Sequence, residues 1–180
     1  MTEGFATVSS KGEWTQTEDS WDRMKLFLKV ALFTVVVPGS VAVLVPFLLG
    51  GDRTVAGGAW LGLAVCLFTI GISIYLRAVW DFAKIGQGTP APIDAPKRLV
   101  VRGIYRYSRN PLYVAMLIIV AGWAALFATA VPLAYAAGLF ILYSLVVRFH
   151  EEPHLAREFG DEYTAYTQQV GRWLPRLRRR

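Results

Sequence analysis

Residues 112–147 read LYVAMLIIVAGWAALFATAVPLAYAAGLFILYSLVV, and none of them carries a charge. As one helix at about 1.5 Å per residue this stretch would rise roughly 54 Å, whereas the hydrocarbon core of a bilayer is about 30 Å thick. A hairpin resolves the mismatch. The two helices run over about 112–130 and 132–149 and turn near Ala130-Val131-Pro132, because proline opens a helix well and continues one badly.

Working outward, the upstream chain holds two more apolar runs. Gly57–Val79 ends with Arg77, whose long side chain can snorkel to an interface. Leu26–Leu49 has Lys29 as its single charge and is interrupted by Pro38, Gly39 and Pro46, where neighbouring side chains must repair the freed carbonyls and a kink is expected. Gly58-Ala59-Trp60-Leu61-Gly62 offers small residues for packing within the bundle or for a dimer contact. Residues 1–25 are polar and slightly acidic and read as a tail, not as a signal peptide, which would place its apolar core just after a basic start. The expected fold is an all-α integral membrane protein of about four transmembrane helices (26–49, 57–79, 112–130, 132–149). These form a single domain over 26–180, with a C-terminal helical hairpin.

Composition agrees. The chain is 54% hydrophobic and 18% charged over 180 residues, which excludes disorder for most of its length. A single cysteine, Cys66, excludes an internal disulfide, and two histidines exclude an all-histidine metal site. The net charge of +6 is placed unevenly. Residues 81–111 contribute Lys84, Lys97, Arg98, Arg102, Arg106 and Arg109 against Asp81 and Asp94, and seven arginines follow Val147. Basic segments mark the cytoplasmic rim of a membrane, so both are expected there together with both termini, in an inner membrane or endomembrane. The same placement argues for membrane lipids and against nucleic acid as the basic surface's partner.

Two of these segments are more than linkers. Residues 81–111 form a connection far longer than usual, punctuated by Gly86-Gln87-Gly88 and by recurring aromatics. After the hairpin, Leu155, Phe159, Tyr163, Tyr166, Val170 and Trp173 fall at spacings of 4, 4, 3, 4 and 3 and predict an amphipathic helix over 151–173. Such a helix either lies among the lipid headgroups or closes a site.

His150-Glu151-Glu152-Pro153-His154 fits the zinc-protease pattern H-E-x-x-H, but Pro153 lies between the two histidines and is expected to break the helix that pattern requires, so no metal site is expected. The pair Glu151 and Glu152 carries more meaning. Arg148 and Glu151 are one turn apart, and the hairpin brings Asn110 and Glu151 to one depth, giving a pocket with both charge signs beside an apolar wall.

Gly103-Ile104-Tyr105, Arg109-Asn110-Pro111-Leu112-Tyr113, Glu151-Glu152, Phe159-Gly160-Asp161-Glu162-Tyr163 and Arg172-Trp173-Leu174-Pro175 occur in that order. Together, over about 84–176, they resemble the signature of the isoprenylcysteine carboxyl methyltransferase and phospholipid methyltransferase family. The resemblance implies an integral-membrane enzyme that transfers a methyl group from S-adenosylmethionine to a lipophilic acceptor. It implies a cofactor site on the backbone of Lys97, Arg98, Leu99 and Val100, on Tyr105, on Asn110, Pro111, Leu112 and Tyr113, and on Glu151; by similarity to the phospholipid-methylating relatives it adds Gly86, Gly88 and Glu152. The chemistry agrees: an ammonium needs a carboxylate such as Glu151, a carboxylate needs donors such as Asn110, and adenine needs flat cover from Tyr105 or Tyr113. Catalytic roles fall to Glu151 and to Arg148, which would orient an anionic acceptor. The prenylcysteine enzymes carry His where this chain has Asn110, which keeps the hydrogen bonding and loses the titration. Membrane reductases share a similar hairpin-plus-tail arrangement, with Lys97, Arg98 and Arg102 imitating an NADPH phosphate site. A non-enzymatic scaffold is the third reading.

Overall fold

The structure, a computed structural model, describes residues 36–51, 54–86 and 98–176, and every regular element among them is helical. Helix α1, Val36–Leu48, contains a π turn at Ser40–Leu44. The turn ends two residues before Pro46, which has no N–H to offer Ala42 four residues back and whose ring would press on that carbonyl. The wider turn lets Val45 N–H reach Ser40 O. The two bypassed carbonyls find side chains: Trp123 Nε1 donates to Ala42 O at 2.9 Å and the Tyr135 hydroxyl to Val41 O at 3.0 Å. The expected repair by neighbours is thus made by both arms of the hairpin.

Helix α2, Ala59–Gly86, has 28 residues, roughly 42 Å of rise. The apolar run ends at Val79, but no helix breaker follows until Gly86, so Asp81–Gly86, expected as loop, is helical. Helix α2 packs on α3, Pro111–Leu126, through two glycines. A methyl on Gly71 would lie 2.7 Å from Ile119 Cγ1, and one on Gly122 would lie 2.9 Å from the Phe68 ring. Gly58 and Gly62, by contrast, have nothing near them among the described residues.

The hairpin turns over 127–130 and α4 runs Val131–Val146 with Pro132 in its first turn. The helix does not stop where expected. A π turn at Val147–Glu151 leads directly into α5, Glu152–Gln169, and again it ends just before a proline, Pro153, with Glu152 N–H donating to Val147 O. Pro153 is accommodated by the wider turn and does not break the helix, which corrects the reason given above for dismissing the H-E-x-x-H match. His150 and His154 are both exposed.

Helix α5 is shorter than the predicted 151–173, because Val170 is extended (φ −118°, ψ 133°). Its stripe of Leu155, Phe159, Tyr163, Tyr166 and Val170 packs against Leu99 and Val101, while Trp173, beyond the helix, packs on the hairpin core. Among the described residues two helices, Ala59–Ile85 and Val131–Gln169, are long and apolar enough to cross a membrane. Their outward faces are greasy: Val65, Ile72, Leu76, Ile141 and Leu145 are all exposed.

Candidate functional site

The site residues gather where the segment before α3, the π turn and the chain after α5 meet. Arg98–Val101 has no regular secondary structure, and its side chains alternate. Leu99 enters the cluster with Tyr163, Tyr166 and Val170, and Val100 enters the cluster with Ala78 and Tyr105. The segment is thereby wedged between α5 and α2. Gly103 then turns the chain at φ +63°, and its lack of a side chain is required twice: a methyl there would fall 2.0 Å from Asp81 Oδ2. That oxygen accepts the Ile104 N–H at 2.8 Å and Arg77 Nε at 3.1 Å, pinning the short 3-10 turn Gly103–Arg106 to α2.

Ser108, Arg109 and Asn110 are clamped to the chain after α5. Arg109 N–H donates to Gly171 O at 3.0 Å, and Ser108 Oγ and Asn110 Nδ2 both donate to Arg172 O, at 3.2 and 3.1 Å. Asn110 therefore works first as a strut. Glu152 accepts two hydrogen bonds from Arg172, at 2.8 and 2.7 Å, and pairs with Arg109 at 3.0 Å, while Arg109 also donates to the Tyr163 hydroxyl at 3.2 Å. The bonds to Glu152 push the Arg172 guanidinium above its ordinary range. Both oxygens of Glu152 are thus neutralised by two cations.

Glu151 has the opposite surroundings. Its Oε1 accepts the Tyr113 hydroxyl, and its second oxygen has no partner among the described residues. Burial raises the carboxyl above the usual carboxylate range, against the opposing pull of the Tyr113 hydrogen bond and His150, with Glu152 adding to the rise. The Tyr113 ring stacks on Tyr143, centroids 4.4 Å apart, with Trp173 tilted at 6.5 Å, so an aromatic wall stands beside the Glu151 carboxylate.

The other predicted residues distribute as follows. Pro111 and Leu112 open α3 beside this wall. Arg148 is exposed in the π turn, 5.8 Å over the Phe149 ring. Tyr105 is enclosed, 7% exposed and tilted on Phe82, with its carbonyl taking the Tyr166 hydroxyl at 2.7 Å; its ring offers no face to a ligand. A cleft of about 380 Å³ opens between Ile85, Arg98, Leu99, Arg102, Phe159 and Glu162. Gly86 is the last described residue of α2, next to Ile85 of this cleft, while Gly88 and Lys97 lie outside the described residues.

Sequence reasoning missed the part played by Arg109, Arg172 and Tyr143. The signal available was electrostatic: two adjacent glutamates at the end of an apolar helix need countercharge, and the quoted motifs themselves contain Arg109 and Arg172.

A search of curated proteins returns no match to the chain. The phospholipid methyltransferase family model, however, matches residues 59–162. That span takes in α2, the hairpin, the Tyr113–Glu151 pair and the first half of α5. With more than half of its length matched, the chain belongs to the phospholipid methyltransferase family, and with its long apolar helices it is a membrane methyltransferase of that family.

Proposed function

We propose that the protein transfers a methyl group from S-adenosylmethionine to a lipophilic acceptor that reaches the site from the bilayer. One observation carries the reading: Glu151 is a half-buried carboxylate whose second oxygen has no partner among the described residues, and it is bonded to the aromatic wall through Tyr113. The donor set fits the cofactor's amino-acid end. Glu151 suits its ammonium, and Arg109 Nε, buried without an acceptor among the described residues, suits its carboxylate. The flat aromatic cover for the adenine comes from Tyr113, not from enclosed Tyr105. Backbone of Arg98–Val100 and the Asn110–Tyr113 turn complete the site, with Glu152 as the group that fixes Arg109 and Arg172 in place.

The cofactor's contribution is an activated methyl group on a sulfonium. The chain's contribution is position: in-line displacement needs alignment more than acid–base help, and orientation supplies up to about 7–11 kcal/mol. Tyr113 holds Glu151 in one rotamer, and Arg148 orients an anionic acceptor at the exposed face of the π turn. Four spans (26–49, 57–79, 112–130, 132–149), a polar tail over 1–25 and both termini on the basic, cytoplasmic side complete the proposal; the charge tally supports it. The family match favours methyl transfer over hydride transfer from NADPH.

The test is calorimetry of the detergent-purified protein with S-adenosylhomocysteine and, separately, NADPH. Saturable binding of S-adenosylhomocysteine alone is the expected result, and binding of NADPH alone would overturn the reading. Mass spectrometry of a labelled-methyl reaction on membrane extract then identifies the acceptor.

A further inference from the structure

A second recess lies at the basic end of α2 and shares no residue with the Glu151 site. It has a volume of about 320 Å³ and is lined by Arg77, Gly103, Ile104, Arg106 and Tyr107. Arg77, Trp80 and Lys84 follow one another at spacings of 3 and 4, so they share one face of α2, and Lys84 Nζ sits 4.4 Å over the Trp80 ring. Across the recess the Arg106 guanidinium lies 4.6 Å over the Tyr107 ring. Arg77 and Arg106 thus line the recess, with Lys84 on the same face of α2; the carboxylate of Asp81 is only 5% exposed and already accepts the Ile104 N–H and Arg77 Nε. Arg77 commits one N–H to that contact and Arg106 one to the Tyr107 hydroxyl, so both guanidinium groups keep donors for an oxyanion.

The same helix face continues away from the recess as an exposed apolar strip, Val65, Ile72 and Leu76, reaching Trp80 at spacings of 7, 4 and 4. Tryptophan at such a boundary is the usual marker of the headgroup level of a membrane. The surface therefore has the profile of an amphiphile: an apolar strip, an aromatic boundary, then a cationic recess.

We propose that this recess binds an anionic phospholipid, with the phosphate between Arg77 and Arg106 and an acyl chain along Val65, Ile72 and Leu76. A zwitterionic headgroup fits less well, because its ammonium would meet the guanidinium groups of Arg77 and Arg106 and a carboxylate that is buried and already bonded. The site is thus a lipid contact separate from methyl transfer, and it stands whether or not the acceptor is itself a lipid.

The experiment is native mass spectrometry of the full chain in detergent with equimolar phosphatidylglycerol and phosphatidylcholine of identical acyl chains. One phosphatidylglycerol is expected to remain bound in preference to phosphatidylcholine. Arg77→Gln with Arg106→Gln should reduce that preference by about fivefold for each cation removed. Because Arg77 also supports Asp81, a second variant, Lys84→Gln with Arg106→Gln, tests the same recess through exposed side chains. Equal retention of the two lipids, or an unchanged preference in a variant that elutes as a folded monodisperse species, overturns the proposal. An excess of sn-glycerol 3-phosphate should not displace the lipid; displacement would show a site for soluble phosphate and would equally overturn it.

Discussion

Glu151 and Glu152 are neighbours in sequence, yet a π turn ends between them and sends them to different partners. Glu152 is held by Arg109 and Arg172, while Glu151 has a tyrosine hydroxyl and the nearby charges of His150 and Glu152. Burial holds the Glu151 proton more tightly in the folded chain than in the unfolded one. Ionising it therefore costs stability as pH rises through the unfolded and then the raised folded value. Glu151→Gln removes that cost and keeps an acceptor for Tyr113, so the melting temperature should stay level or rise near neutral pH. Affinity for S-adenosylhomocysteine should fall about tenfold or more, the worth of a charge-assisted hydrogen bond. In the unaltered protein the affinity should weaken as pH drops through the raised Glu151 value, at a higher pH than a solvated glutamate would give. Calorimetry across that range checks both, and a pH profile identical in the two proteins would refute the assignment. Glu151 itself was legible as a candidate from its place at the end of an apolar helix, but the Arg109–Glu152–Arg172 cluster was not, because its members lie 43 and 20 residues apart and no periodicity connects them.

At the level of elements, the hairpin and its turning point followed from a charge-free run too long for one crossing, with a proline to start the second arm. The ends of α2 and α4 did not follow. Hydropathy changes at Val79 and Val147, but backbone hydrogen bonding carries the helix on, to Gly86, the last described residue of that segment, in one case and into α5, kinked at Gly160, in the other. Both π turns precede a proline by the same interval, which makes proline within an apolar helix a usable sign of a local change of register. Repair of the first turn depends on Trp123. Trp123→Phe keeps much of the aromatic contact with Phe47 and Phe68 and deprives Ala42 O of its donor. Thermal unfolding in detergent should report a loss of about 1–3 kcal/mol, the cost of an unsatisfied buried carbonyl. A variant as stable as the parent would mean that the π turn does not rely on the indole.

Over the whole molecule, the outward apolar faces and the family match describe a protein whose solvent is lipid. Cys66, the single cysteine, lies exposed on α2 among Leu63, Val65 and Ile70. In sealed native membranes a membrane-impermeant maleimide should leave it unlabelled, whereas the unfolded protein in denaturing detergent should react fully. Rapid labelling in intact membranes would remove α2 from the bilayer. Helix α4 passes through its π turn straight into α5, which kinks farther on at Gly160 (φ 49°). A π turn contains one residue more than the α turn it replaces, so deleting one residue of Val147–Glu151 leaves only an α register, in which the ring of Pro153 meets the carbonyl four residues back. The expected result is a bend at the end of α4 that draws Glu152 off Arg109 and Arg172. One surplus residue is what lets a proline sit inside the helix that joins the two ends of the site.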